Sequence, residues 1–267
     1  MYEFEYHRPG SVEEAKSILA ENEDAKIIAG GMTLLPTMKM RLASPSDLVD
    51  LSDIRSLRGI RDTGDFLEIG SMVTHVEIAT SDVIKSEIPA LADLAGRIGD
   101  PQVRNRGTIG GSLSNSDPAA DYPAAVLGLD AVIKTDVREI AAGEYFMNLF
   151  ETALDPDEIV EAVRFPKLKK AAYSKFPHPA SRYAVVGVMI AVSSEGVRAA
   201  VTGAGPCAFR AATIEAALTE DFSPGALDGL TIDADDFNED LFASAEYRAH
   251  LVVAMAKRAV AQLVADT

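Results

Sequence analysis

Two stretches decide how this chain is read: Ile27 to Leu34, IIAGGMTL, and Arg106 to Asn115, RGTIGGSLSN. In the first, the apolar run Ala25 to Ala29 reads as a short buried strand. It enters the pair Gly30-Gly31, and a helix-like segment follows from Leu34 to Leu42. Without Cβ atoms, glycines take positive φ and let a ligand approach the main chain. Successive amides in such a turn converge on one concavity, an anion nest, to which a helix N-terminus adds partial positive charge. Thr33 offers a hydroxyl to the same anion. In the second stretch Thr108, Gly110-Gly111, Ser112 and Ser114 gather ahead of a helix expected from Ala119 to Leu127, with Asp117 as its cap and Pro118 in its first turn. Taken alone, a diglycine after a strand is an ordinary tight turn. Two such turns in an acidic chain point to a ligand with adjacent phosphates, a pyrophosphate, held by amides rather than lysines.

Rival readings fall away. There is no G-x-x-x-x-G-K-S/T, which excludes a Walker P-loop, and Gly203-Ala204-Gly205 is followed by Pro206 with no third glycine in place for a Rossmann fingerprint. The 267 residues carry 25 Lys plus Arg against 41 Asp plus Glu, a net charge of −16. Nucleic-acid binding needs clustered cations. The densest group here, Lys167, Lys169 and Lys170, reads as a solvated loop. Cys207 is the single cysteine, so this chain alone builds no disulfide framework, zinc ribbon or iron–sulfur cluster. The N-terminus MYEFEYHRPGS lacks the pattern of a signal peptide. The apolar run Ala184 to Val192 is about half the ~18 residues a membrane span requires. These features predict a cytoplasmic protein with no membrane span and no nucleic-acid partner.

Outward from the glycine turns, three parts emerge. Ser11 with Glu14 forms a capping box ahead of a helix, and Asp47 to Leu51 reads as the strand closing a small α/β unit. A mixed middle follows, with strands expected over Leu57 to Ile60, Phe66 to Ile69, Ala131 to Lys134 and Ile159 to Phe165. Its helices are expected over His75 to Thr80, behind the capping box Thr74/Glu77, and over Ala90 to Ile98. Beyond Pro166 to Ala172, a hairpin pairs Val185 to Val192 with Val197 to Thr202, and helix-spaced apolar residues run from Ala245 to Ala265.

The run AGGMTLLPTMK from Ala29 to Lys39 resembles the first FAD motif of the molybdenum hydroxylase flavoproteins. Thr108 to Ser112, with Asp117 to Asp121 (DPAAD) after it and Gly99 to Arg106 (GDPQVRNR) before it, resembles the second. Ser244 to Arg248 (SAEYR) is similar to the family's C-terminal helix. The likeness is to the medium, FAD-binding subunits of aerobic carbon monoxide dehydrogenases and related multi-subunit hydroxylases, and similar motifs occur in the flavin domain of xanthine dehydrogenase. The resemblance implies an α+β, vanillyl-alcohol-oxidase-like (PCMH-type) two-lobed FAD-binding fold. Its lobes would span residues 1–55 and 56–168, with a C-terminal α+β domain, a small antiparallel sheet plus helices, over 169–267. It further implies that Ala29, Gly30, Gly31, Met32, Thr33 and Leu34, with Thr108, Ile109, Gly110, Gly111 and Ser112, carry the pyrophosphate. Ile98 would pack on the cofactor, Asp121 would accept from one of its hydroxyls, Lys175 would lie close to the flavin, and Tyr183 over the isoalloxazine. The family often has His where Met32 stands and Asn where Ser112 stands.

What the resemblance implies for function is electron transfer within a multi-subunit molybdenum hydroxylase. A small subunit with a 2Fe-2S cluster would deliver electrons, a large molybdopterin subunit would oxidise the substrate, and this chain would pass electrons to a quinone, NAD or oxygen. The assembly implied is a dimer of heterotrimers. Two alternatives stand beside it: a free-standing flavin oxidoreductase of the same fold, for which His178 is the available acid–base residue, and a scaffold subunit without FAD. Replacing Gly110 and Gly111 with valine is expected to remove flavin binding and leave the fold intact.

Overall fold

The computed structural model describes residues 1–265. In the first lobe β1 (Glu5–His7) leads through α1 (Val12–Glu21) to β2 (Lys26–Ile28), and α2 (Leu34–Lys39) carries the chain to β3 (Asp47–Asp50). The strands form a parallel sheet in the order β1-β3-β2. Ser11 caps α1 by accepting from the Glu14 amide at 3.2 Å, while the Glu14 carboxylate accepts from Gly10 N at 2.8 Å, one residue earlier than a strict capping box. α2 stops at Lys39, short of the expected Leu42. Met38 is its buried anchor, and Leu42 is exposed, so no packing holds a further turn.

The second lobe opens with β4 (Ile60–Asp62) and β5 (Phe66–Gly70), followed by α3 (His75–Thr80), α4 (Asp82–Glu87), α5 (Pro89–Gly96), α6 (Pro101–Arg106), α7 (Ile109–Asn115) and α8 (Tyr122–Gly128). Then come β6 (Val132–Thr135), β7 (Glu139–Ala141), α9 (Ala142–Tyr145), the small hairpin β8 (Phe146–Asn148) and β9 (Glu151–Thr152), and β10 (Val160–Pro166). Five strands make one antiparallel sheet, β4-β5-β10-β6-β7. Both halves of the Thr74/Glu77 capping box are present. Three expectations need correction. Leu57 to Ile60 is not a strand: a 3-10 turn covers Arg55–Leu57, Gly59 turns the chain at φ 92, and the strand begins at Ile60. Gly110 and Gly111 lie inside α7 rather than ahead of a helix. Asp117 does accept from the Ala119 amide at 2.9 Å, but this closes only a turn, and α8 begins at Tyr122.

The third part is the antiparallel sheet β11 (Ala171–Pro177), β12 (Ala184–Ser193), β13 (Gly196–Thr202) and β14 (Phe209–Arg210), followed by α10 (Ala212–Glu220) and α11 (Ala245–Ala265). The β12–β13 hairpin turns at Ser194-Glu195, with Gly196 at φ 123, where the sequence places it. α11 lays Leu251, Met255, Ala259 and Leu263 on one face of this sheet. Tyr247, part of the expected stripe, is 42% exposed. On the other face Tyr173, Met189 and Ala200 join the core of α5 and α8, so the middle and C-terminal parts share apolar packing. Gly128 is required there, because a Cβ would stand 2.6 Å from Met189 Cγ. Among the described residues no helix is long and apolar enough to cross a membrane.

Candidate cofactor site

A cavity of about 660 Å³ lies where the three parts meet. Ala29 to Leu34, Thr108, Gly110 to Ser112, Ile98, Asp121 and Tyr183 all border it, and of the residues assigned to the cofactor from sequence only Ile109 and Lys175 do not. Ile109 is fully buried in the core of the second lobe. The two glycine turns touch each other. A Cβ on Gly30 would stand 2.3 Å from Arg106 O and 2.8 Å from Gly107 Cα, and one on Gly111 would stand 3.4 Å from Ala29 Cβ. Gly31 sits at φ 70, the left-handed region open to glycine. The first pair thus bends the chain and lets it lie directly on the second lobe.

The turns differ in their amides. Those of Gly30, Gly31, Met32 and Thr33 have no hydrogen-bond partner among the described residues. In the second turn the amides that follow Thr108 are engaged: Ile109 N donates to Val73 O at 3.1 Å, Gly110 N to Ser71 O at 2.9 Å, and Gly111 N to Thr108 Oγ1 at 3.1 Å. Ser112 N donates to Thr108 O at 3.0 Å. Among the described residues the two expected nests therefore differ: one offers four free amides, and the other is a capped helix start where the Thr108 amide alone is free. Thr108 is the N-cap, and its hydroxyl takes the amide a ligand would otherwise have met. Gly110 serves close packing instead: a Cβ would stand 2.5 Å from Ser71 Cβ.

Asp121, 5% exposed, accepts from Tyr173 Oη at 2.6 Å and pairs with Lys175 Nζ at 2.9 Å. Burial raises its carboxyl above the usual range, against the opposing pull of the Lys175 ammonium. Lys175 Nζ also donates to Arg97 O at 2.9 Å and Arg182 O at 3.1 Å. With three donors and three bonded residues, Lys175 is a strut behind the cavity wall rather than part of its lining. It fixes the loop that presents Tyr183, whose phenol lies close to Asp117. Burial, then the Asp117 charge, pushes that phenol up. His178 does not border the cavity. Its Nδ1 accepts from Ala180 N and Ser181 N, both at 3.2 Å, and its ring meets Phe242 edge-on at 4.3 Å.

Sequence reading missed Ser71, His75, Asp117 and Arg182, which border the same cavity. Of these only Asp117 lies in a quoted motif, DPAAD, where it was read as a helix cap. The β5–α3 connection reaches the site because His75 N donates to Gly107 O at 3.0 Å and Thr74 pairs with Thr108 as an isolated bridge. Four free amides, a cradle that Cβ atoms would fill, and the unpartnered buried Ser71 Oγ and His75 Nδ1 describe a polar centre. Leu19, Ile27 and Leu51 at the lobe junction, and Ile98 with Tyr183, add apolar walls. A long ligand with a charged middle and flat ends fits, as FAD requires.

Comparison with known proteins agrees. The family model described as the FAD binding domain in molybdopterin dehydrogenase matches residues 2–168. The chain is 34% identical to the carbon monoxide dehydrogenase medium chain of Hydrogenophaga pseudoflava over 275 residues, 96% of each chain. It is also 34% identical to the nicotine 6-hydroxylase medium subunit of Paenarthrobacter nicotinovorans, over 98% of each. The solved structure of the Hydrogenophaga pseudoflava carbon monoxide dehydrogenase lacking the Mo-pyranopterin moiety has a chain that superposes with a TM-score of 0.91 at 35% identity, covering 99% of this chain and 98% of that one. The α+β fold that the family resemblance implies is the one present, and the chain belongs to the FAD-binding medium subunits of the molybdopterin dehydrogenases.

Proposed function

We propose that this chain is the electron-transfer subunit of a cytoplasmic, multi-subunit molybdenum hydroxylase. It takes electrons from a small subunit carrying a 2Fe-2S cluster and passes them to a quinone, NAD or oxygen. Bound flavin supplies the exchange between one-electron and two-electron chemistry. Cys207 cannot ligate a cluster alone, so the iron–sulfur centre and the molybdopterin belong to a small and a large partner, arranged as a dimer of heterotrimers. Relatives named for carbon monoxide and for nicotine share this subunit type, which supports placing substrate choice on the large partner.

The residues assigned to the cofactor act in distinct ways. Gly30 to Thr33 offer their amides to the diphosphate, with Ala29 and Leu34 flanking them. Thr108, Gly110, Gly111 and Ser112 form the opposing wall, and Ile109 anchors that wall from the core. Asp121 retains free lone pairs beyond those taken by Tyr173 and Lys175, enough to accept from a cofactor hydroxyl. Ile98 and Tyr183 flank the ring end, and Lys175 holds the Tyr183 loop. The units 1–55, 56–168 and 169–267 each contribute one wall.

The observation that carries this reading is the contact of Gly30 with Arg106 and Gly107 at the floor of one cavity. Purified chain mixed with FAD and freed of excess should show a flavin absorption spectrum at one flavin per chain. Colourless protein after that treatment contradicts the reading.

A further inference from the structure

The second glycine turn has committed its amides from Ile109 to Ser112, yet polar groups beside it stand unmet. Neither ring nitrogen of His75 has a hydrogen-bond partner among the described residues, although the residue is 4% exposed. Leaving such groups unsatisfied is costly, so they mark the place of a partner not supplied by the chain. His75 borders the cavity. Its Nε2 stands where a Cβ on Gly107 would come within 2.4 Å, and Gly107 Cα is itself the floor on which Gly30 rests. The imidazole therefore lies across a single glycine residue from the turn with the free amides. Ser71, whose buried Oγ is also unpartnered, lies one turn away against Gly110.

We propose that His75 hydrogen-bonds the cofactor's diphosphate, completing from the β5–α3 connection the polar wall that the second glycine turn leaves unfinished. This rests on the FAD reading above. Burial and the neighbouring Arg104 hold the free imidazole at about 4, so it is neutral at pH 7 in the empty chain and has one N–H to offer a ligand. An anion placed beside it raises that value, so binding takes up a proton and affinity strengthens as the pH falls. The groups facing His75 are Arg104 on α6 and Tyr122 on α8, whose ring centroid is 5.3 Å away. Glu77 lies on its own helix, bonded to Thr74, and Asp117 and Asp121 titrate elsewhere on the cavity wall.

The test titrates the full chain with FAD and with ADP, which carries the diphosphate without the flavin, between pH 5 and pH 8. Wild type is compared with His75→Gln and His75→Phe. Expected is a loss of about tenfold in affinity for both ligands in His75→Phe, with most of it recovered in His75→Gln. The gain in affinity toward pH 5 should be smaller in His75→Gln, which keeps Asp117 and Asp121 and so isolates the imidazole. Thermal stability without ligand should hold or rise in His75→Phe, because an unmet polar group leaves the interior; a His75 of purely structural role would lose stability instead. Unchanged affinity in His75→Phe, or a loss for FAD with none for ADP, overturns the proposal. Failure of wild type to bind FAD at all overturns the FAD reading, and this inference with it.

Discussion

Gly30 has no room for a side chain, and that single fact joins the two lobes at the site. Gly30→Ala would drive a methyl into Arg106 O and Gly107 Cα, which are backbone atoms that cannot rotate away. We expect a loss of about 1–3 kcal/mol in urea unfolding together with weakened FAD binding. Gly111 is different: its nearest neighbours are Thr108 Oγ1 at 3.0 Å and Ala29 Cβ at 3.4 Å, so Gly111→Ala should fold within about 1 kcal/mol of wild type and lose FAD affinity. Equal loss of stability and binding in Gly111→Ala would deny it a place on the ligand wall. The valine pair expected from sequence to spare the fold is a poor probe, because Gly110 is packed on Ser71. Lys175 and Asp121 are each 4% exposed at the side chain. Lys175→Met strands a buried carboxylate and should cost about 3 kcal/mol or more, with Asp121→Asn in the same chain restoring part of it. A change under about 0.5 kcal/mol would contradict the strut. The glycines were legible as residues because their backbone freedom is local. The roles of Lys175 and His75 were not, because their neighbours lie far away in sequence, at Asp121, Arg97 and Gly107.

Elements announced by a strong short-range pattern were readable, while the capped helices α4, α6 and α7 were not. Thr74/Glu77 and the Ser194-Glu195-Gly196 turn announce α3 and the β12–β13 hairpin through short-range chemistry. α7 hides because its sequence, IGGSLSN, has little helix propensity; Thr108 capping and burial of Ile109 and Leu113 hold it in place. α8 starts late because Asp121, read as part of the helix, turns its carboxylate to Tyr173 and Lys175 instead of capping. The segment Asp155 to Glu158, another wall of the cavity, is tied to the β6–β7 turn by Glu158. Arg138, Thr135 Oγ1 and the Asp155 amide hold that carboxyl at about 2. Its folded value lies below the unfolded one, so its contribution is present above about pH 4.5 and is lost as the pH falls toward 2. Glu158→Gln should therefore unfold more readily at pH 6 and show a flatter stability profile between pH 4.5 and 2. An acid-unfolding curve of the same shape in both proteins would contradict this.

At the scale of the molecule, the cavity exists because three parts, each with its own sheet, meet around the glycine turns. A ligand that bridges them must stabilise the whole assembly. FAD at about a hundredfold excess over its dissociation constant should add about 2.7 kcal/mol, seen as a rise of roughly 5 °C or more in melting temperature. A melting temperature indifferent to FAD would be incompatible with a bridging ligand. The architecture was legible from the pair of motifs. The asymmetry between the turns was not, since which amides are free depends on the distant acceptors Val73 O and Ser71 O. The most direct measurement is diffraction from crystals of the full chain grown with FAD. The account predicts diphosphate density between the amides of Gly30 to Thr33 and the wall formed by Thr108, Gly111 and Ser112. Density for the diphosphate elsewhere, with those amides facing solvent, would contradict it.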